Sequence, residues 1–214
     1  MRRFSCGLST LMLLVLAGAD SAPAREAARW DFDVYLDGKK VGTHVFEVVE
    51  KNGERTVQSE ANFQYRILFI PAYRYEHRNT ERWTGSCLVE FAAQTNANGK
   101  HIEVSGELAD DGFRVRKDGV PVELPRCVMS FAYWNPEFLE QPRLLNPQTG
   151  EYVDVSIREF GEETLQVRGQ SVPARRFRLT AYEVDLTLWY SRDDEWLALE
   201  SVARGGYTIR YELS

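Results

Sequence analysis

The chain has 214 residues, 26 of them basic and 32 acidic, with aromatic residues making up 12%. A formal net charge of −6 argues against nucleic acid as a partner and against a basic membrane-docking face. The length allows one domain with a substantial core.

The N-terminus reads as a cleaved export signal. Met1-Arg2-Arg3 is a short basic region, Leu8 to Ala19 is a mostly apolar run, and Ala22-Pro23-Ala24 offers the small residues of a cleavage site. That run is too short to anchor the chain across a bilayer, and Cys6 precedes it instead of closing it, so lipid modification is not expected there. Loss of residues 1–24 removes Arg2, Arg3 and Asp20, which leaves 24 basic against 31 acidic residues in a domain spanning 25–214. No second apolar stretch approaches spanning length. Cys87 and Cys127 are then the remaining cysteines, and an oxidising compartment predicts one disulfide between them. Two unpaired thiols are the alternative. A metal site is disfavoured, because no other Cys or His stands at ligand spacing beside either cysteine.

In chain order, the mature sequence alternates with period 2 almost throughout. Trp30, Phe32, Val34 and Leu36 share one face of a first strand, and Asp37-Gly38 turns it into Val41–Val49. After a turn at Asn52-Gly53, a longer run carries Val57, Ala61, Phe63, Tyr65, Ile67 and Phe69 on one face until Pro71 bends it or marks an edge. In "YRYEHRNTERW", Tyr73, Tyr75, His77, Asn79 and Trp83 point one way, and Arg74, Glu76, Arg78 and Arg82 the other. Strands follow at Leu88–Gln94, Ile102–Leu108 and Phe113–Arg116, with turns at Asn98-Gly99, Asp111-Gly112 and Asp118-Gly119. The last third repeats the rhythm at Tyr152–Glu159, Thr164–Val167, Ala174–Thr180, Glu183–Tyr190, Trp196–Ala203 and Tyr207–Leu213, with Glu162-Glu163 read as a turn. About a dozen short strands with no linker predict an all-β fold: one strongly curved antiparallel sheet or partly open barrel.

One segment departs from strand patterning. In "RCVMSFAYWNPEFL", Asn135 is a good N-cap, Pro136 suits a first helical position and Glu137 favours the positive end of the dipole, which predicts a short helical segment near 135–141. It separates an N-terminal meander from a C-terminal one, so it is placed to plug the mouth of the sheet.

Signatures of known chemistry are missing: no G-x-S-x-G, H-E-x-x-H, phosphate-binding glycine loop or C-x-x-C occurs, and no cofactor is implied. Among the three histidines, His101 opens a strand at a turn, His44 fits either face of its strand, and His77 shares a face with tyrosines and a tryptophan. His77 with Asn79 is the best nucleus for acid–base catalysis, against the plainer expectation of a hydrogen-bonded core histidine. The carboxylates read as solvated faces or turns. The aromatics allow a ligand cavity lined by Tyr73, Tyr75, His77, Phe131, Tyr133, Trp134, Tyr182 and Tyr190, or simply a filled core.

"YLDGKKVGTHVFEV", "AYRYEHRNTERW", "CVMSFAYWNP", "LLNPQTGEYVDV" and "LWYSRDDEWLALES" together resemble a family of exported bacterial proteins catalogued as a domain of unknown function, with "CVMSFAYWNP" the most specific piece. The resemblance covers the mature chain, implies a proteobacterial periplasmic setting and carries no catalytic residue. "DGKKVGTHVF" and "LWYSRDDEWLALESV" with "YTIRYEL" are also similar to a larger group of exported β-rich proteins of unknown function. Their curved, incompletely closed sheets resemble lipoprotein carriers such as LolA. The functional expectation is a non-enzymatic binding or carrier module for a hydrophobic, lipid-like molecule. Its alternatives are an assembly factor for the cell envelope acting through protein contacts, and an enzyme using His77.

Overall fold

The computed structural model describes residues 28–67, 70–182, 184–202 and 206–214. The segment expected as an export signal, Phe69, Glu183 and the end of the predicted strand at Ala203 lie outside the described residues. Eight strands come first: β1 (Ala28–Leu36), β2 (Lys39–Lys51), β3 (Glu54–Ile67), β4 (Ile70–Thr84), β5 (Cys87–Ala97), β6 (Lys100–Leu108), β7 (Phe113–Lys117) and β8 (Val120–Leu124). A 3-10 turn at Pro136–Glu140 and the small pair β9 (Arg143–Leu145) and β10 (Tyr152–Asp154) follow. The chain finishes with β11 (Ser156–Val167), β12 (Gln170–Ala181), β13 (Val184–Ser191), β14 (Trp196–Val202) and β15 (Thr208–Leu213).

Thirteen strands form one antiparallel sheet in the order β11-β12-β13-β14-β15-β1-β2-β3-β4-β5-β6-β7-β8. The hairpin turns explain the local register. Asp37-Gly38, Asn52-Gly53, Asn98-Gly99 and Asp118-Gly119 each hold two consecutive positive φ angles, a backbone that Asx-Gly pairs adopt with little strain and that matches the twist of the flanking strands. Alternation then carries each strand's apolar residues to one face. Pairing of β1 with β15, Phe32 opposite Leu213, joins the two meanders at the middle of the sheet. The sheet does not close: β8 and β11 are its edges.

A sheet of this many twisted strands curls, and the connector 125–155 reports the curl directly. It joins the two edges and packs against strands from both halves. Trp134 meets Trp83 of β4 edge-on at 5.7 Å between centroids, while Tyr133 lies 5.3 Å from Trp196 of β14. Phe138, Leu144 and Leu145 have no exposed surface and belong to the same core as Phe32, Leu88, Phe113 and Leu188. Burial of this kind contributes roughly 1.5–3 kcal/mol per large apolar side chain. The connector is therefore the plug of a half-barrel. The Cys87–Cys127 disulfide forms, and beside it the Leu88 amide donates to the Val128 carbonyl at 3.0 Å, so the plug's start is tied to β5.

Most expected elements are present, with four differences. Glu162 and Glu163 are not a turn; they lie within β11, which carries a bulge between Glu159 and Glu162. The run expected at Tyr152–Glu159 is split, because Tyr152–Asp154 pairs with β9 and the sheet strand starts at Ser156. The Val57–Phe69 run ends in a hairpin, since β3 and β4 pair down to Ile67 opposite Ile70. Pro71 falls in the part of β4 that has no second neighbour, because β5 pairs with β4 only from Tyr75 onward. Val120–Leu124 was not expected as a strand; it holds with Pro121 because β8 is an edge.

The helical expectation near 135–141 resolves as the 3-10 turn, with Asn135 Oδ1 accepting the Glu137 amide at 3.2 Å and Pro136 in its first turn.

Candidate functional site

The inner face of β4 supplies the site. Register across β1 to β5 stacks Phe32, His44, Ala61, His77 and Thr95 in one rung. Phe46, Ser59, Asn79 and Ala93 make the next, and Val48, Val57, Glu81 and Phe91 the one after. Period-2 alternation thus turns His77, Asn79 and Glu81 inward together, while Arg74, Arg78 and Arg82 turn outward to pair with Glu76, Glu60 and Glu90. Above this polar stripe the plug lowers Phe131, Tyr133 and Trp134, and the β9–β10 turn adds Gln148. Between them is a partly enclosed cavity of about 190 Å³. Its wall is apolar at Phe46, Val57, Ala132, Val184 and Leu186 and polar at His44, Ser59, His77, Asn79 and Glu81.

Glu81 is only 4% exposed, yet its carboxylate is well satisfied. Oε1 accepts from Asn79 Nδ2 and Ser130 Oγ, both at 3.0 Å, and Oε2 accepts from Trp83 Nε1 at 3.0 Å. Burial raises its pKa, and those three bonds pull the other way. Burial also lowers His77 to about 4 and His44 to about 3, the latter with a further contribution from the nearby His77. Both imidazoles are neutral at pH 7. His77 Nδ1 lies 2.9 Å from Thr95 Oγ1, and His44 Nδ1 lies 3.5 Å from the Tyr211 hydroxyl. Among the described residues, two buried polar atoms in the cavity wall, His44 Nε2 and Asn79 Oδ1, have no hydrogen-bond partner.

Of the aromatic positions expected to line a cavity, Phe131, Tyr133 and Trp134 do so, as does His77. Tyr75 stands beside it, stacked on Phe63 at 5.2 Å with its hydroxyl bonded by the Gln148 amide. Tyr73 is 42% exposed and does not line it. Tyr190 is a correction: it is fully buried below the plug, where its hydroxyl donates to the Tyr133 carbonyl at 2.7 Å. Tyr182 is another. It is 96% exposed and lines instead an adjoining groove of about 950 Å³, between Val122 and Leu124 of edge strand β8 and Ala181 and Val184 at the β12–β13 turn. Cavity and groove share Asn146 and Val184 in their walls.

Sequence reasoning missed Glu81, which it left unassigned in its strand. The signal was available, because Glu81 falls between Asn79 and Trp83 on the inward face of the same alternation. His44 needed the register. His101 is exposed at the start of β6, as expected.

As an acid–base centre the arrangement is poor. Among the described residues His77 has no carboxylate partner, and a pKa near 4 makes it a weak base at pH 7. Among the described residues no three His, Cys, Asp or Glu side chains gather in a group that could hold a metal ion.

Fold and site together define a plugged, incompletely closed antiparallel half-barrel with a mixed polar and aromatic cavity beneath its plug. No curated protein sequence matches the chain significantly. The chain belongs to a domain-of-unknown-function family, DUF6134, whose profile matches residues 32–214. The crystal structure of a β-barrel-like protein of another domain of unknown function, DUF1849, from Brucella abortus is similar to it with a TM-score of 0.64. The likeness covers 87% of this chain and 94% of that one at 10% identity, and at that identity it speaks to the fold alone.

Proposed function

We propose that this protein is exported to the periplasm and acts there as a non-enzymatic binding or carrier module for a small amphipathic molecule. The polar or compact end enters the cavity beneath the plug, and the apolar remainder lies in the groove between β8 and the β12–β13 turn. One observation carries the reading: a cavity of about 190 Å³ with both polar and aromatic walls adjoins an open groove of about 950 Å³. The cavity by itself exceeds the roughly 150 Å³ that holds benzene and falls short of the roughly 300 Å³ at which drug-sized sites begin. A whole lipid-like molecule therefore needs the groove as well. His44 Nε2 and Asn79 Oδ1 support the same reading, since a buried polar atom without a partner costs roughly 1–3 kcal/mol that a ligand bond would recover.

Native mass spectrometry of the protein purified from its own exported compartment tests the proposal. An adduct of a few hundred daltons is expected, reduced in a Trp134→Ala variant. Protein that is consistently empty, with solvent extracts that match those of an unrelated exported control, sinks it.

A second reading, an envelope assembly factor, is favoured by the exposed Val120, Val122 and Tyr182 beside the groove, which give a protein partner apolar surface to cover. In-cell crosslinking from position 122 to one defined partner, with no small-molecule adduct, would decide for it.

A further inference from the structure

Two of the cavity's polar side chains, Glu81 and Asn79, present acceptors. Glu81 accepts three hydrogen bonds, and all three donors are neutral: an amide, a hydroxyl and an indole. Asn79 Nδ2 and Trp83 Nε1 can only donate, so each carboxylate oxygen has a donor fixed on it, and these bonds favour the ionised form against the burial that raises its pKa. Among the described residues no Lys, Arg or His forms an ion pair with it; the arginines of β4 are on the outer face, held by Glu60, Glu76 and Glu90. The same bond that fixes the Asn79 amide leaves its Oδ1, a pure acceptor, buried in the cavity wall with no donor among the described residues. The remaining wall includes Phe46, Phe131 and Tyr133, whose rings suit a cation, and Trp134, which already carries the Arg55 guanidinium 5.1 Å from its ring. A net charge of −6 on the chain draws cations toward it.

We propose that the cavity is a site for a small organic cation, an alkyl- or arylammonium group whose charge lies against Glu81 and one of whose N–H bonds is accepted by Asn79 Oδ1. This rests on the binding reading above and adds the charge class of the bound end. The ammonium supplies the counter-charge that Glu81 lacks among the described residues, and Asn79 Oδ1 accepts one of its N–H bonds. Carboxylates and phosphates are excluded from the same position by repulsion from Glu81.

Calorimetric titration of the mature chain at pH 7 with benzylammonium, benzyl alcohol and benzoate, three probes of one size, tests the assignment. Benzylammonium is expected to bind at least tenfold more tightly than benzyl alcohol, with benzoate weakest. The preference persists in 0.5 M salt, because a buried pair is screened far less than attraction to the acidic surface. Glu81→Gln reduces the ammonium preference to about twofold while benzyl alcohol still binds. If benzyl alcohol binds as well as benzylammonium, or salt abolishes the difference, the cation assignment falls and the cavity remains a binding site. If none of the three binds, both fall. Should Glu81→Gln not fold, the three-probe comparison on the unaltered chain decides alone.

Discussion

Removing the Cys87–Cys127 bond, by replacing both cysteines with alanine, probes the plug where it is fastened. The bond spans 40 residues of sequence and encloses β5 to β8 together with the first residues of the connector. In the chain-entropy account, a loop of that length restricts the unfolded chain by about 4 kcal/mol. For a domain of this size that corresponds to a melting temperature lower by roughly 8–16 °C, or a urea midpoint lower by about 2 M if the slope is near 2 kcal/mol/M. Neither side chain is deeply buried, so the change should leave no large cavity and the folded core should be retained. Urea unfolding followed by tryptophan fluorescence gives both midpoint and slope. The constrained chain has the smaller slope, because its unfolded state is more compact. A midpoint within 0.5 M of the parent, with unchanged slope, would refute the account and show that packing of the connector alone holds the plug.

Three further outcomes follow from the same structure. Phe138→Ala removes a ring with no exposed surface, in contact with Tyr133 and Tyr190, and should cost about 3–5 kcal/mol in chemical unfolding. Gly106→Ala in β6 would bring a methyl group within 2.5 Å of the Phe91 ring and 2.6 Å of the Phe113 ring, so overpacking should cost about 1–3 kcal/mol, seen as a lower melting temperature. His77 is held near a pKa of about 4, below its unfolded value, so its contribution to stability is complete above about pH 6.5 and is lost as the pH falls toward 4. Melting temperatures measured across that window should fall less steeply in His77→Gln than in the parent, and parallel curves would count against burial as the cause.

The strands were legible because alternation is a local property: each strand needs only its own residues to declare an inner and an outer face. The Asx-Gly turns were legible for the same reason, since two consecutive positive φ angles need residues that tolerate them. The plug could be found as the one interruption, with Asn135 and Pro136 starting its single turn. Even Glu81 was within reach of the pattern. Edge strand β8 was harder, because Pro121 argues against a strand until it is known to lie at an edge. Glu162 and Glu163 misled because paired carboxylates resemble a turn unless the partner strand is known.

The amino-acid sequence by itself determined an all-β chain in two meanders with one interrupting segment between them, because periodicity and turn chemistry are properties of neighbours, while the bond between Cys87 and Cys127 was an expectation that the structure bears out. Only the tertiary structure decided that Tyr190 is buried under the plug while Tyr182 stands in solvent, that His44 and His77 share a rung two strands apart, and that Glu81 has three neutral donors and, among the described residues, no counter-ion. Those facts depend on register across strands and on how far a twisted sheet curls before its edges meet the connector. Both are set by packing summed over the whole molecule, which no single stretch of sequence contains.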